Sequence, residues 1–263
     1  EYDHADIYPD LAAIRRQFAH LLRVVPGGGL IVHDAGDEDT ARVLEAGCWS
    51  PLQCFAIAAP ADWQAQMLSG QQFQLTDPQG REHRARTTLL GEHNLRNTLA
   101  AVAAAHHAGI PVPQCLAALE TFRGVARRLQ VIAQAGGITV YDDFAHHPTA
   151  IRATLLALRA AAGAGRVIAV LEPRSNTMRS GVHGPALCEA LRLADLVYLW
   201  RRKDLKFDPV RALQGLGARV FVSESVDSIA KTLIRGLQNG DHVVLMSNGS
   251  FGGLHDKFMT GID

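Results

Sequence analysis

Two acids followed by two histidines form the densest chemical run in the chain, Tyr141-Asp142-Asp143-Phe144-Ala145-His146-His147-Pro148-Thr149. Paired carboxylates can accept hydrogen bonds from sugar hydroxyls, and imidazoles can touch phosphate or shuttle protons near neutral pH. His146 and His147 are therefore the candidate catalytic groups. The same residues also make an ordinary polar loop ahead of a capped helix. A zinc site on the two histidines lacks a third ligand, and adjacent residues rarely face one ion. A second run, Gly91-Glu92-His93-Asn94-Leu95-Arg96-Asn97-Thr98-Leu99, sets Asn94 and Asn97 one helical turn apart. Amides so placed can read the edge of an adenine, and equally can cap a helix start. A third, Gly124-Val125-Ala126-Arg127-Arg128-Leu129, holds an arginine pair. Its forked donors suit a terminal phosphate or an interdomain salt bridge.

The elements around these runs imply an α/β chain. Residues 9–25 place Leu11, Ile14, Phe18, Leu21, Leu22 and Val25 on one helical face, with Pro9 suited to the first turn. Residues 29–34 read as a short strand, and Asp37 as the cap of a helix running to Ala46. Between Trp63 and Leu90 the turn Asp77-Pro78-Gln79-Gly80 predicts a β-hairpin. Helices follow over 94–108 and from Pro113. Beyond Gly124 the strands 129–135 and 138–143 flank Gly136-Gly137. Strands at 166–172, 195–200, 218–222 and 242–247 then alternate with helices at 148–162, 184–193, 225–238 and 253–260. Apolar strands separated by helices predict a parallel sheet covered on both faces, and a domain boundary near residue 123. The strand-to-helix junction at Asp143–Pro148 then lies on the sheet edge where ligands gather.

Composition narrows the function. Of 263 residues 48% are hydrophobic, and Lys+Arg equals Asp+Glu at 26, so charge points to neither nucleic acid nor acidic membranes. The four cysteines are scattered without a CxxC pair, which predicts reduced thiols and a cytoplasmic setting. No apolar run approaches the roughly 20 residues of a membrane span. The chain opens on Glu1-Tyr2-Asp3-His4 without a methionine, which suggests a fragment.

Taken in order, these runs resemble the Mur ligase family, with its G-x-H-N-x-x-N segment, its arginine pair after F-x-G and its D-D-Y/F-A/G-H-H-P segment. Glu1-Tyr2-Asp3-His4 is similar to the family's E-x-D-H segment. Leu171-Glu172-Pro173-Arg174-Ser175-Asn176-Thr177-Met178-Arg179 and Met246-Ser247-Asn248-Gly249-Ser250-Phe251-Gly252-Gly253 resemble the murein-peptide branch. The resemblance implies the remnant of a P-loop-type central ATPase domain over 1–122 and a Rossmann-like C-terminal domain over 123–263. It implies ATP and magnesium as cofactors and an ATP-dependent amide ligase using an acyl phosphate. The substrates would be UDP-N-acetylmuramate and the tripeptide L-alanyl-γ-D-glutamyl-meso-diaminopimelate, in cell-wall recycling. His4 would bind magnesium, Asn94 and Asn97 would lie by the adenine, Arg128 by the γ-phosphate and Asp143 by the ribose. Arg174, Ser175 and Asn176 would receive the amine substrate, unless that segment is a structural loop.

Departures from the family bound the reading. No Gly-Lys pair of a phosphate-binding loop occurs, the first lysine is Lys203, and Arg15 and Arg16 stand where some members carry a carbamylated lysine. No carbamate and no turnover by this chain alone are expected. Rival readings are the alanine-adding ligase of the same family, a dinucleotide-binding oxidoreductase built on Gly249–Gly253, and a non-catalytic binding module. The glycine run lacks GxGxxG spacing and a following βαβ unit.

Overall fold

The computed structural model describes residues 1–69 and 71–262, in two units, Glu1–Gly124 and Val125 onward. Position 70, inside the expected hairpin stretch, and position 263, the last of the expected second domain, lie outside the described residues.

In the first unit, α1 (Leu11–Val24) starts at Asp10, whose carboxylate accepts the Ala13 N–H at 2.7 Å. Pro9 thus precedes the helix instead of sitting in its first turn. Strand β1 (Ile31–Asp34) leads to α2 (Glu38–Glu45), capped by Asp37 as its sequence predicts. Then come β2 (Leu52–Ile57), β3 (Trp63–Met67), β4 (Gln72–Thr76), β5 (Glu82–Arg86), α3 (Glu92–His107) and α4 (Val112–Thr121). The sheet runs β1-β2-β3-β4-β5, parallel through β3 and antiparallel beyond. Trp63, Phe73 and Leu75 pack beneath Leu95, Leu99 and Val102 of α3.

The β4–β5 turn shows why Asp77 belongs there. It is 2% exposed, and its carboxylate accepts the N–H groups of Gln79 and Arg81 at 3.0 Å and the Arg81 Nε at 2.8 Å, with His83 at 3.1 Å. Burial opposes its ionisation, but His83 and Arg81 outweigh that and bring its pKa down to about 2.

The second unit begins with β6 (Gln130–Ala135), β7 (Ile138–Asp143), α5 (Pro148–Ala162) and β8 (Val167–Leu171). It continues through α6 (Asn176–Ser180), α7 (Gly184–Leu191), β9 (Leu196–Trp200), α8 (Pro209–Ala212), β10 (Val220–Ser223), α9 (Val226–Gly236), β11 (His242–Met246) and α10 (Leu254–Ile262). Its sheet order is β10-β9-β8-β11-β7-β6, parallel except for β6. Val140, Ile168, Val170, Val243 and Leu245 pack on Ile229 and Leu233 of α9 and Phe258 of α10. In β8 and β11 the alternate residues are buried on the opposite face, so these central strands read as continuous apolar runs. Helices α6 and α8, too short for a periodic signal, are elements of this unit that the sequence pattern does not announce, as β2 is of the first.

The amino-terminal edge of this sheet is closed by ion pairs. Arg166 grips Asp241 with two bonds of 2.8 and 2.6 Å, and Arg159 meets Asp195 at 2.6 Å. Asp241 is 1% exposed and also accepts the Gln238 N–H at 2.7 Å.

Candidate functional site

The carboxyl-terminal edge of the second sheet gathers the ends of β7, β8, β9 and β11. Strand β11, last in the chain, lies between β7 and β8, whose onward helices α5 and α7 pack together. Helix α10, which follows β11, packs instead with α9. Loops that leave adjacent strands toward opposite faces open a crevice at the strand ends, the usual ligand position in such sheets.

Asp143 reaches this edge but turns inward. It is 3% exposed; Oδ2 accepts the Leu129 N–H at 2.7 Å, and Oδ1 accepts the Ala145 N–H at 2.7 Å and the Thr154 hydroxyl at 3.2 Å. Burial pushes its pKa up, and these donors with the charge of Arg128 offset that only in part. Its geometry is that of a brace. By bonding Leu129 it holds a segment in which Arg127 (φ 60°) and Leu129 (φ 48°) adopt left-handed backbone, a strained conformation for residues with side chains. Arg128 between them is exposed, with its guanidinium 5.6 Å from the centre of the Phe144 ring.

The other members of the run are also committed. Arg127, which sequence reasoning left without a role, donates to the carbonyls of Ser247 and Gly249, the latter at 3.0 Å, and lies 3.4 Å from Asp142. His255 contacts the other Asp142 oxygen at 3.1 Å. His146 bonds the Phe144 carbonyl through Nδ1 at 2.9 Å, and the His147 Nδ1 accepts the Thr149 N–H at 3.3 Å as the cap of α5. The His147 ring meets His183 edge-on at 4.6 Å. Each histidine proposed for catalysis thus makes a local hydrogen bond through Nδ1.

At the end of β8, Arg174 is exposed and its side chain lies against Gly249: a Cβ built there would fall 1.6 Å from Nη1. Among the described residues no carboxylate pairs with it. Ser175 caps α6 by accepting the Met178 N–H at 3.2 Å, and the Asn176 carbonyl oxygen accepts from Arg179. Of the three expected acceptor contacts, Ser175 and Asn176 each accept a bond from α6, whereas Arg174 rests on Gly249. Glu172, 1% exposed, accepts the Ser247 hydroxyl at 2.5 Å, the Phe251 N–H at 3.2 Å and Arg202 at 2.8 Å. An acid directly after five apolar strand residues is the sequence signal for such a buried, fully bonded carboxylate.

In the first unit the two asparagines lie inside α3, and neither is its cap, which is Gly91. Asn94 is buried and its amide donates to the Leu90 carbonyl at 2.8 Å. Asn97 is exposed and leans on Asn94 at 3.4 Å, leaving most of its amide to solvent. Arg96 ties α3 to Asp34 at the end of β1, at 2.5 Å. His4 is exposed, and among the described residues no cluster of three metal-binding side chains occurs. A single imidazole supplies at most one of the six positions magnesium takes, so these residues do not build its site alone.

Family comparison agrees with the sequence motifs. A model of the Mur ligase middle domain matches residues 1–105, and one of the Mur ligase glutamate ligase domain matches residues 127–249. The chain belongs to the Mur ligase family. Among Mur ligases, the Escherichia coli UDP-N-acetylmuramate–L-alanyl-γ-D-glutamyl-meso-2,6-diaminoheptandioate ligase is 40% identical over 100% of this chain and 58% of its own length. The Chloroflexus aggregans UDP-N-acetylmuramate–L-alanine ligase is 31% identical over 95% of the chain and 58% of its own. A crystal structure of a murein peptide ligase from Psychrobacter arcticus superposes with a TM-score of 0.72 at 34% identity, over 97% of this chain and 55% of that one. The chain thus spans less than two thirds of the Mur ligases it matches. No helix among the described residues is long and apolar enough to cross a membrane.

Proposed function

We propose that the full-length protein carrying this chain is an ATP-dependent ligase joining UDP-N-acetylmuramate to L-alanyl-γ-D-glutamyl-meso-diaminopimelate. The 40% identity to a relative named for that reaction supports it, against 31% to one named for L-alanine. The observation that carries the acceptor reading is Arg174, an exposed guanidinium at the carboxyl edge of the parallel sheet with no carboxylate partner among the described residues. A tripeptide brings several carboxylates that free alanine lacks, and guanidinium binds carboxylate through two parallel bonds.

In this reading ATP supplies a phosphoryl group to the muramic acid carboxylate, and the acceptor amine then displaces phosphate from the acyl phosphate. Residues 1–122 form part of the central ATPase domain and 123–263 the C-terminal domain. Arg128 offsets the growing phosphate charge, the place where most of the rate gain in such transfers lies. Asp143 acts through the Leu129 bond that presents Arg128, which refines the ribose contact expected from its position. Asn97 meets the adenine, with Asn94 as its anchor. His4 contributes at most one magnesium position, and no step is assigned to it. Ser175, Asn176, His146 and His147 shape the loops around the acceptor and the phosphates. We assign the activity to the cytoplasm, which four free, unbridged cysteines support.

Steady-state kinetics of the full-length enzyme test the reading. Arg174→Ala should lower kcat/KM for the tripeptide at least tenfold, about 1.4 kcal/mol, with little change in the KM for ATP. A wild-type enzyme preferring L-alanine over the tripeptide overturns the assignment.

A further inference from the structure

Gly249 has no assigned part in the reaction, yet three independent contacts converge on it. Its N–H donates to the Ser247 hydroxyl at 2.9 Å, and that hydroxyl donates in turn to the buried Glu172 at 2.5 Å. Its carbonyl accepts from Arg127 at 3.0 Å. Its Cα carries the Arg174 side chain, with Nη1, Cζ and Cδ at 1.6, 2.5 and 2.6 Å from where a Cβ would stand. The peptide is thus pinned at both ends, by Ser247 just beyond β11 and by Arg127 ahead of β6, and its bare face is covered by a guanidinium.

Gly249 is not a glycine for its backbone angles, because it lies outside the left-handed region where thirteen other described glycines fall. What the position requires is the missing side chain. The atom a methyl group would strike is the far end of a flexible, exposed arginine, so alanine here displaces Arg174 more readily than it disturbs the fold. We propose that Gly249 is a specificity-determining residue: a flat seat, fixed by the Glu172–Ser247 pair and by Arg127, that holds the Arg174 guanidinium in its acceptor-binding pose. The proposal rests on the reading that Arg174 receives an acceptor carboxylate. A guanidinium pre-set in one orientation loses less freedom on forming a two-bond pair than one that must first be ordered.

The test is a double-mutant cycle in the full-length enzyme, with L-alanyl-γ-D-glutamyl-meso-diaminopimelate as acceptor and thermal melting of each variant alongside. Gly249→Ala should leave the melting temperature and the KM for ATP near wild type while raising the tripeptide KM at least fivefold. Combined with Arg174→Ala it should add no loss beyond that of Arg174→Ala alone. Ser247→Ala, which frees the Gly249 N–H without adding bulk, should give a smaller rise in the tripeptide KM that likewise vanishes in the Arg174→Ala background. If Gly249→Ala melts far below wild type, the Ser247→Ala pair decides alone. Wild-type tripeptide KM in both seat variants, or full additivity with Arg174→Ala, overturns the seat while leaving the acceptor reading standing. An Arg174→Ala enzyme with wild-type tripeptide kinetics removes the acceptor reading, and the seat with it.

Discussion

At the amino-terminal edge of the second sheet, Arg166 and Arg159 each close on an aspartate, and Asp241 is almost wholly buried between its partners. At the carboxyl-terminal edge of the same strands, Arg128 and Arg174 are exposed and rest on an aromatic ring and a bare glycine. The buried acid nearest Arg128 spends its oxygens on neutral N–H and O–H donors instead. The strands are alike and the arginines are alike; what differs is whether a carboxylate of the chain itself consumes the guanidinium. Arg127 and Arg202 at the second edge do meet Asp142 and Glu172, so the contrast lies in the named pairs: Arg166 and Arg159 tie elements together, whereas Arg128 and Arg174 close on no carboxylate among the described residues.

The largest effect should come from breaking the closed edge. Asp241→Ala leaves Arg166 without its buried partner and should lower the unfolding free energy by about 3 kcal/mol in urea titration of this chain. A loss under about 1 kcal/mol would mean that the closed edge is no more structural than the open one. Asp143→Asn should be milder, on the order of 1 kcal/mol, since the donors it loses are uncharged. Its pH dependence is the sharper reading. Burial raises the folded pKa of Asp143 above the ordinary 3.8, so its contribution to stability is complete below that value and is lost as pH rises through the folded pKa. The gap between wild type and Asp143→Asn should therefore narrow with rising pH; a gap that widens contradicts the inward, neutral-donor setting. The smallest effect belongs to Arg174→Ala, expected within about 0.5 kcal/mol of wild type in the same titration. A larger loss would make Arg174 a brace, like Arg166.

The fold was legible because its signals are local and repeated. Apolar strands bounded by turns, Asp37 before α2, Pro148 at the start of α5 and the Asp77-Pro78-Gln79-Gly80 turn each act within a few residues. The site was legible as an address more than as a set of contacts. The motif at Asp142–Pro148 does lie at the sheet edge, but no local rule says which way a side chain turns there. Asp143 faces in, Arg128 faces out, and Asn94 and Asn97 divide the same way between core and solvent. That division depends on Leu129, Thr154 and Leu90, partners chosen by the tertiary fold. The Glu172–Ser247 bond spans 75 residues and was beyond any spacing argument, although a lone acid ending an apolar strand hinted at it.

The place of β11 bears on how the molecule is made. The strand of the second sheet that comes last in sequence fills its centre, with β7 on one side and β8 on the other. Until residues 242–246 emerge, β7 and β8 each present an open, apolar hydrogen-bonding edge, the kind of surface that invites pairing with another chain. The sheet cannot be assembled strand by strand as it is translated; it must wait, half-built, for its keystone. A stop codon before His242 would therefore leave two unmatched half-sheets, a species expected to collect with chaperones or in aggregates.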